Sequence, residues 1–88
     1  MRFHDIICSQ DVAEKLRRKH ALEPDEVEEA LRNDPYVLRG RDGLYVVLGR
    51  TDAGRYVTAI IAGLGASSGR LVTARDMDRT ERRTYQRR

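Results

Sequence analysis

A change in hydrophobic periodicity at Pro35 is the feature that most constrains what this chain can fold into. Before Pro35, apolar residues recur at helical spacing, whereas after it apolar runs alternate with short turn signals. The strongest of these signals is Asp42-Gly43, which divides residues 36–50 into two strands. Strands joined by such short turns are antiparallel. The sequence therefore predicts helices followed by a mainly antiparallel sheet.

The segment before Pro35 is predicted to form two helices. The first spans about residues 10–20, where an apolar stripe recurs at helical spacing. The second begins at Pro24, because a missing N–H costs nothing at the first helical position. It ends before Pro35, since the residue preceding a proline disfavours helix. Leu22 and Val27 have the spacing of a hydrophobic staple around its start, which supports this boundary.

The remaining segments complete the predicted fold. A short strand in "FHDIIC" precedes the helices, and "RYVTAIIAG" and "RLVTARD" add two strands, with "LGASSG" between them as a flexible loop. Asp78 and Glu81 have capping-box spacing, so a last helix should begin at about Arg79. Its final residues should fray, and removing Arg87 and Arg88 should cost little. The fold class is α+β: a short N-terminal strand, two helices, an about four-stranded mainly antiparallel sheet and a C-terminal helix.

Length and composition limit the class of protein. The 88 residues are enough for one domain, residues 1–88, with one small core. No apolar run approaches the length of a transmembrane helix, and the start lacks the apolar core of a signal peptide. We therefore expect a cytoplasmic protein with no membrane association. Cys8 is the single cysteine, so no internal disulfide forms, and no His, Cys and carboxylate residues cluster at metal-ligand spacing. We expect neither a metal nor another cofactor.

Charge is segregated along the chain. Through Asp34 there are six Lys or Arg and nine acidic residues, a balance of −3, and from Pro35 there are eleven Arg and five acidic residues, a balance of +6. Arginine richness alone is what a GC-rich genome also produces. The segregation, more than the amount, favours a basic face that attracts phosphate or an acidic partner.

Two other sequence features do not carry a chemical site. "AIIAGLGASSGR" is rich in glycine, but a strand rather than a helix follows it, and no Lys-Ser/Thr pair is present. A hairpin loop is the default interpretation. Ser67 and Ser68 have no base that can be inferred beside them, so a serine hydrolase is not expected.

The arginines are the main functional signal. Arg50 and Arg55 flank one predicted turn, while Arg70 and Arg75 begin and end the last strand. In an antiparallel sheet these four could converge at one edge with the C-terminal helix. Guanidinium groups bind phosphate oxygens in pairs and stay charged. Tyrosines offer stacking faces for unpaired bases, although half-buried packing is the simpler role for each of them.

Three stretches resemble the BrnT family, ribonuclease toxins of type II toxin–antitoxin systems with a RelE-like fold. They are "LRRKHALEPDEVEEAL", "LGRTDAGRYVTAII" and "RLVTARDMDRTERRTY", and they occur in family order over most of the chain. Ala21 stands where the family has glycine, and Thr73 where it has serine. The resemblance implies an RNA-cleaving surface, which acts without a metal by attack of the ribose 2′-hydroxyl on its own phosphate.

On this resemblance the chain would be an endoribonuclease that inhibits translation and growth. His20 would act as acid or base, because histidine is the side chain best suited to proton transfer near neutral pH. Its alternative role is structural, because helix C-termini favour protonated histidine. The expected phosphate clamps are Arg50, Arg75 and Arg82, and the expected RNA-binding residues are Arg55, Arg70, Arg79 and Tyr85.

The implied partners are RNA and a cognate antitoxin with a ribbon-helix-helix DNA-binding domain, in a heterotetrameric complex. The competing hypothesis is a non-catalytic module that keeps the toxin fold and binds nucleic acid or a partner. Toxicity when the chain is expressed without an antitoxin would favour the ribonuclease toxin over the non-catalytic module.

Overall fold

A computed structural model describes residues 3–88, and its elements follow the predicted order. The strands and helices are β1 (Asp5–Ile7), α1 (Gln10–His20), α2 (Pro24–Arg32), β2 (Tyr36–Arg39), β3 (Leu44–Arg50), β4 (Tyr56–Gly65), β5 (Ser68–Asp76) and α3 (Arg79–Arg87). The predicted α+β class, with two helices before the sheet and one after it, is confirmed.

The five strands form one mixed sheet in the order β1-β5-β4-β3-β2. Strands β2 to β5 are antiparallel neighbours, as their short connections require. The short strand β1 also joins the sheet, as a fifth strand parallel to β5. Helices α1 and α2 connect β1 to β2. Strand β1 lies at the edge of the sheet beside β5 and runs in the same direction as β5.

The two faces of the sheet are covered unequally. Helices α1 and α2 pack on one face, where the main core forms around fully buried residues such as Leu16, Leu22 and Ile61. Helix α3 packs on the other face, over a smaller cluster of Leu48, Met77 and Tyr85. Alternate strand residues point to opposite faces. The basic helix and the two N-terminal helices are therefore on opposite sides of the sheet.

The junction between α1 and α2 is a left-handed cap followed by a buried staple. Ala21 has φ = 48°, and the next N–H, of Leu22, donates to the carbonyl of Leu16 at 3.2 Å. This is the helix ending that glycine usually supplies, and a side chain there costs about 1 kcal/mol. Leu22 and Val27 are both buried, as the staple spacing predicts.

Close packing of α2 on β3 depends on a glycine. A Cβ at Gly49 would overlap the carbonyl oxygen of Ala30 in the last turn of α2. The helix can therefore lie directly on the strand backbone. This contact fixes the position of the end of β3, whose last residue is Arg50.

Two sequence expectations are corrected. "LGASSG" forms the expected hairpin, but with a tight turn instead of a flexible loop, because β4 runs to Gly65 and β5 begins at Ser68. Ala66 and Ser67 both have positive φ, 50° and 65°, as in a two-residue type I′ turn. The C-terminal residues are also ordered by contacts, since Arg88 forms an ion pair with Asp34 at 2.6 Å. Asp78 and Glu81 form the predicted capping box at the start of α3.

Candidate functional site

The turn between β3 and β4 holds the arginines on either side of it in fixed positions. Within the turn, the Arg55 N–H donates to the Thr51 hydroxyl at 2.9 Å, and the Thr51 N–H donates to the Arg55 carbonyl at 2.9 Å. From α2, Glu29 accepts from the Asp52 N–H at 2.6 Å, and Asn33 donates to the Asp52 carboxylate at 2.7 Å. The turn is therefore tied to α2, and its flanking residues project from a rigid base.

Arg50 and Arg82 converge on the ring of Tyr56. Their guanidinium carbons lie 4.7 Å and 4.3 Å from its centroid. Arg50 reaches this position by donating to the Gly54 carbonyl at 3.3 Å, and a Cβ at Gly54 would come within 3.1 Å of the Arg50 guanidinium. Both arginines are exposed, and neither forms an ion pair with a carboxylate in residues 3–88. Two uncommitted cations therefore share one aromatic ring.

An open groove of about 400 Å³ surrounds this cluster. Its lining is formed by Arg50, Gly54, Arg55, Tyr56, Asp76, Met77 and Arg82. A second groove of about 430 Å³ continues along the outer side of α3 and shares Met77 and Arg82 with the first. The added lining residues are Arg79, Arg83 and Gln86. The two grooves together form a continuous basic surface from the end of β3 to the outside of α3.

The phenol of Tyr56 is perturbed by its neighbours. Gln86 donates to the Tyr56 hydroxyl at 3.3 Å. This hydrogen bond and the positive charges of Arg50 and Arg82 lower the pKa of Tyr56 below its ordinary value. A phenol with a lowered pKa ionises more readily, and its phenolate can accept a proton beside two guanidinium groups that can hold a negative ligand.

Arg55 borders the groove but is committed to structure. Its guanidinium donates to both carboxylate oxygens of Asp76, at 2.7 and 3.2 Å, and to the carbonyls of His20 and Ala21, both at 2.8 Å. The hydrogen bonds from Arg55, helped weakly by the charge of His20, lower the pKa of Asp76. Arg55 therefore ties the end of α1 to the end of β5, and it has little capacity left for phosphate.

Arg75 is likewise paired inside the protein. It donates to both carboxylate oxygens of Glu81, at 2.7 and 2.9 Å. Glu81 also accepts from the Thr58 hydroxyl at 3.0 Å and from the Asp78 N–H at 2.9 Å. Partial burial raises the pKa of Glu81, but these hydrogen bonds outweigh burial and the net pKa is lowered. The expected phosphate clamp is thus a link that fixes α3 on the sheet.

The other predicted site residues lie at varying distances from the groove. His20 is half-buried at the end of α1 and is not among the groove-lining residues. Arg79 is exposed and lines the outer groove. Arg70 lies at the opposite end of β5, paired in register with Ala62, so the expected convergence of four arginines at one edge does not occur. The strand is too long for its two ends to share a site.

Tyr85 packs onto the sheet, and Tyr56 is the tyrosine that faces the groove. Tyr85 is only 6% exposed, and its hydroxyl donates to the carbonyls of Asn33 and Asp34 at 3.4 and 3.3 Å. Its ring packs edge-on against Tyr56, with 6.1 Å between centroids. Tyr85 therefore supports the floor of the groove instead of offering an exposed stacking face, and Tyr56 is the tyrosine that lines the groove.

Tyr56, Gln86 and Arg83 line the grooves or contact their lining residues but were not among the predicted site residues. A signal for Tyr56 was present, because it opens β4 directly after the predicted turn and pairs in register with Arg50. A turn signal between Arg50 and Arg55 predicts a hairpin. In that hairpin the residue that pairs with Arg50 across the two strands lies next to it. Helical spacing groups Gln86 and Arg83 with Arg79 and Arg82, but only the orientation of α3 shows that this side of the helix lines a groove. Within residues 3–88, no three His, Cys, Asp or Glu side chains are grouped to hold a metal.

Comparison with known proteins gives a result at the level of the fold. No protein-family model and no curated protein sequence matches the chain. A search of solved structures finds the 1.1 Å crystal structure of the Brucella abortus ribonuclease toxin BrnT, with a TM-score of 0.69. The alignment covers 85% of this chain and 97% of that chain, at 16% sequence identity.

This chain has a BrnT-like fold. The resemblance noted in the sequence is thereby supported by three-dimensional structure, including the N-terminal strand, the two helices, the mixed sheet and the C-terminal helix. At 16% identity the likeness establishes the BrnT-like fold alone, because unrelated activities can share a fold. In the part of the chain that has been described, no helix is both long and apolar enough to cross a bilayer.

Proposed function

We propose that this protein is a ribonuclease toxin that binds RNA in the groove around Tyr56. The observation that carries the proposal is the pair of uncommitted guanidinium groups, of Arg50 and Arg82, on the Tyr56 ring. Such a pair can hold one phosphodiester from two sides. The BrnT-like fold supports the proposal, since the Brucella abortus protein with that fold is a ribonuclease toxin.

RNA would follow the basic surface from Arg50 to the outside of α3. Arg82 and Arg79 line its continuation along the helix, so successive phosphates would meet successive guanidinium groups. Arg55 and Arg75 contribute indirectly, because their carboxylate partners hold the turn and α3 in place. Neutralising several phosphates releases counterions, so binding should weaken steeply as salt concentration rises.

Cleavage would proceed by attack of a ribose 2′-oxygen on the adjacent phosphorus. The new bond joins the 2′-oxygen to phosphorus, and the bond from phosphorus to the 5′-oxygen of the next nucleotide breaks. The products are a 2′,3′-cyclic phosphate and a free 5′-hydroxyl. Arg50 and Arg82 would stabilise the negative charge that develops on the phosphorane oxygens.

Two protons must move in this reaction, one from the 2′-hydroxyl and one to the leaving 5′-oxygen. Tyr56 is the titratable side chain of lowered pKa that lies between the two clamps, and we assign its phenolate form the proton from the 2′-hydroxyl. The leaving 5′-oxygen would take its proton from water. His20 remains the second candidate for proton transfer. It lies behind Arg55 and does not line the groove, so it would need a water or a substrate-induced shift to take part.

The proposal is tested by incubating the purified protein with an end-labelled RNA and with the same RNA carrying one 2′-deoxy residue. Wild type should cut the RNA in the presence of a chelator and fail at the deoxy position. Arg50→Ala and Arg82→Ala should each slow cleavage about a hundredfold. Arg41→Ala, an exposed arginine in another turn, is the matched control and should cut normally. If the folded wild-type protein leaves the RNA intact, the assignment as a nuclease is wrong.

A second candidate function is a module that binds RNA or a partner without cutting. The position of His20 outside the groove favours it, because the groove then lacks the residue best suited to proton transfer at neutral pH. Under this alternative, the salt-dependent binding of RNA and its loss in Arg82→Ala would persist while wild type leaves RNA intact.

The proposed toxin would act in the cytoplasm with RNA as its substrate. It would be held inactive by an antitoxin with a ribbon-helix-helix DNA-binding domain, in a heterotetramer. These partners follow from the toxin assignment. Inducible expression of the chain with and without a neighbouring gene of that type tests them together, with growth and bulk RNA integrity as readouts.

A further inference from the structure

Helix α3 is centred on one row of residues on its side of the sheet. That row runs across four strands in register and consists of Tyr36, Leu48, Thr58 and Arg75. Glu81 contacts the β4 and β5 end of the row, and Tyr85 reaches the residues just before β2. The helix therefore lies across the strands, along this row. Leu38 and Val46 of the next row pack against the edge of its cluster, and in residues 3–88 no second helix lies on this side of the sheet.

The adjoining rows form a largely apolar surface, which we name the open face. Its first row pairs Leu38, Val46, Ile60 and Thr73 in register, and all four are half-buried. Its second row pairs Leu44, Ala62, Arg70 and Ile7. Leu64 lies two residues beyond Ala62 on β4, at a register irregularity between Gly63 and Gly65.

The open face collects the exposed large apolar side chains of the described chain. These are Ile7, at 56% exposure, and Leu64, at 52%. Single exposed apolar residues need no explanation, but here both adjoin a row of half-buried apolar residues. A contiguous patch of this kind is typical of a binding surface.

The dimensions of the open face suit one helix beside α3. Rows on one face of a strand are about 6.8 Å apart, and packed helices are 8–10 Å apart. A second helix next to α3 would therefore have its axis between the two open rows. Helical spacing places Thr80, Thr84 and Arg87 on the flank of α3 opposite Arg82, which contacts Tyr56. That flank would form one wall of the site.

Charge indicates what kind of helix would fit. Arg87 borders the open face on the α3 side and Arg70 lies within its second row. Both are exposed and neither pairs with a carboxylate in residues 3–88. Asp5 is the acidic residue on this side of β1, at the outer corner of the sheet. We propose that the open face is a docking surface for an acidic amphipathic helix of a partner protein.

A second copy of this chain is a poor occupant. The apolar stripes of α1 and of the acidic helix α2 are both buried in the main core. Helix α3 buries Tyr85 against its own sheet and presents Arg79 and Arg83 outward. No folded copy therefore has both an exposed apolar stripe and flanking carboxylates to offer.

The inference does not depend on RNA cleavage, because the open face and the Tyr56 groove lie on opposite flanks of α3. A partner helix on the open face would leave the groove accessible. Substitutions on one side should therefore leave the activity of the other side unchanged, and the two proposals can fail separately.

The test uses the whole chain and a synthetic helical peptide of about 18 residues, about 27 Å long. This length matches the 28 Å extent of the domain. The peptide carries leucine on one stripe and glutamate elsewhere. One control replaces every glutamate with lysine, and a second permutes the sequence to destroy the stripe. Binding is measured by fluorescence anisotropy, and its place is mapped from amide chemical shifts.

Only the acidic amphipathic peptide should bind, with shifts at Val46, Ile60 and Thr73. The double change Ile7→Ser and Leu64→Ser, at exposed positions that should not affect folding, should weaken binding about tenfold. Arg87→Glu should have a similar effect. Arg18→Glu, the same charge reversal on α1 and the opposite face of the sheet, should leave the affinity within about twofold.

Several results would overturn the proposal. They are absence of binding by folded wild type, equal binding of the lysine peptide, and shifts confined to the Tyr56 groove. Loss of binding in Arg82→Ala but not in the open-face variants would likewise assign the peptide to the groove. Sedimentation of wild type without peptide completes the test, since a dimer dissolved by Ile7→Ser and Leu64→Ser would make a second copy the occupant.

Discussion

Arg88 closes the end of the chain onto Tyr85, with its guanidinium carbon 3.8 Å from the ring centroid. The same group donates to the Tyr85 carbonyl at 2.7 Å and to the Asp34 carboxylate at 2.6 Å. Deleting Arg88 should therefore lower the free energy of unfolding by about 1–2 kcal/mol, measured by urea denaturation. Arg87→Ala should change it by less than about 0.5 kcal/mol. Equal effects of the two changes on the free energy of unfolding would mean that the last residues are a solvated tail.

Arg55 should matter more for stability than for direct RNA contact. Replacing it with Ala removes charged hydrogen bonds to Asp76 and to two helix-end carbonyls, so the free energy of unfolding should fall by about 3 kcal/mol. Arg55→Lys should recover little, because an ammonium group cannot match this forked geometry. Thermal unfolding of both variants, with Arg18→Ala as the control, checks this. A variant of normal stability that has lost RNA binding would reverse the assignment.

Ala21 offers a stabilising substitution. Its positive φ of 48° suits glycine, so Ala21→Gly should raise the free energy of unfolding by about 1 kcal/mol. Ala13→Gly, inside the same helix, should act in the opposite direction because glycine weakens helix interiors. Urea denaturation of the two variants gives the comparison. Destabilisation by both would mean that the cap is not left-handed in solution.

The lowered pKa values of Asp76 and Glu81 predict acid sensitivity. A carboxyl whose pKa is lower in the folded state adds stability above its unfolded pKa, about 4, and this stability is lost as pH falls through the folded pKa. The melting temperature should therefore fall below about pH 4. Glu81→Gln should be less stable at neutral pH and should lose less on acidification. An unchanged slope in Glu81→Gln would contradict its role.

Tyr56 should be the first tyrosine to ionise as pH rises. Its hydrogen bond from Gln86 and its two arginine neighbours lower its pKa, and the effect should show in the ultraviolet titration of the four tyrosines. Tyr56→Phe should remove the earliest step. Gln86→Ala and Arg50→Ala should each move it toward the ordinary value. Titration of all tyrosines together in wild type would count against an activated phenol.

Local signals in the sequence predicted most of the fold. The capping box at Asp78, the staple at Leu22 and the turn at Asp42-Gly43 each involve residues close in sequence, and all three occur in the structure. The entry of β1 at the far edge could not be predicted in this way, because its pairing partner begins at Ser68.

The site was predicted less well, because proximity of charges in space is set by packing. Sequence identified arginines as the functional residues but could not distinguish paired from unpaired ones. Arg55 finds Asp76 only after β4 and β5 align, and Arg75 finds Glu81 only after α3 turns back on the sheet. The burial of Tyr85 and the exposure of Tyr56 to the groove are likewise set by packing. The orientation of α3 on the sheet decides which tyrosine ring is covered.

The parallel pairing of β1 with β5 has a consequence for how the chain acquires its structure. Asp5 aligns with Ser68, so the first strand has no partner until the last strand has been synthesised. Such distant pairings slow folding, because a long loop must close before the contact forms. Arg82 lies later still, in α3. A nascent chain emerging from the ribosome would therefore have an incomplete sheet and no groove, and the basic surface would form only when synthesis is nearly complete.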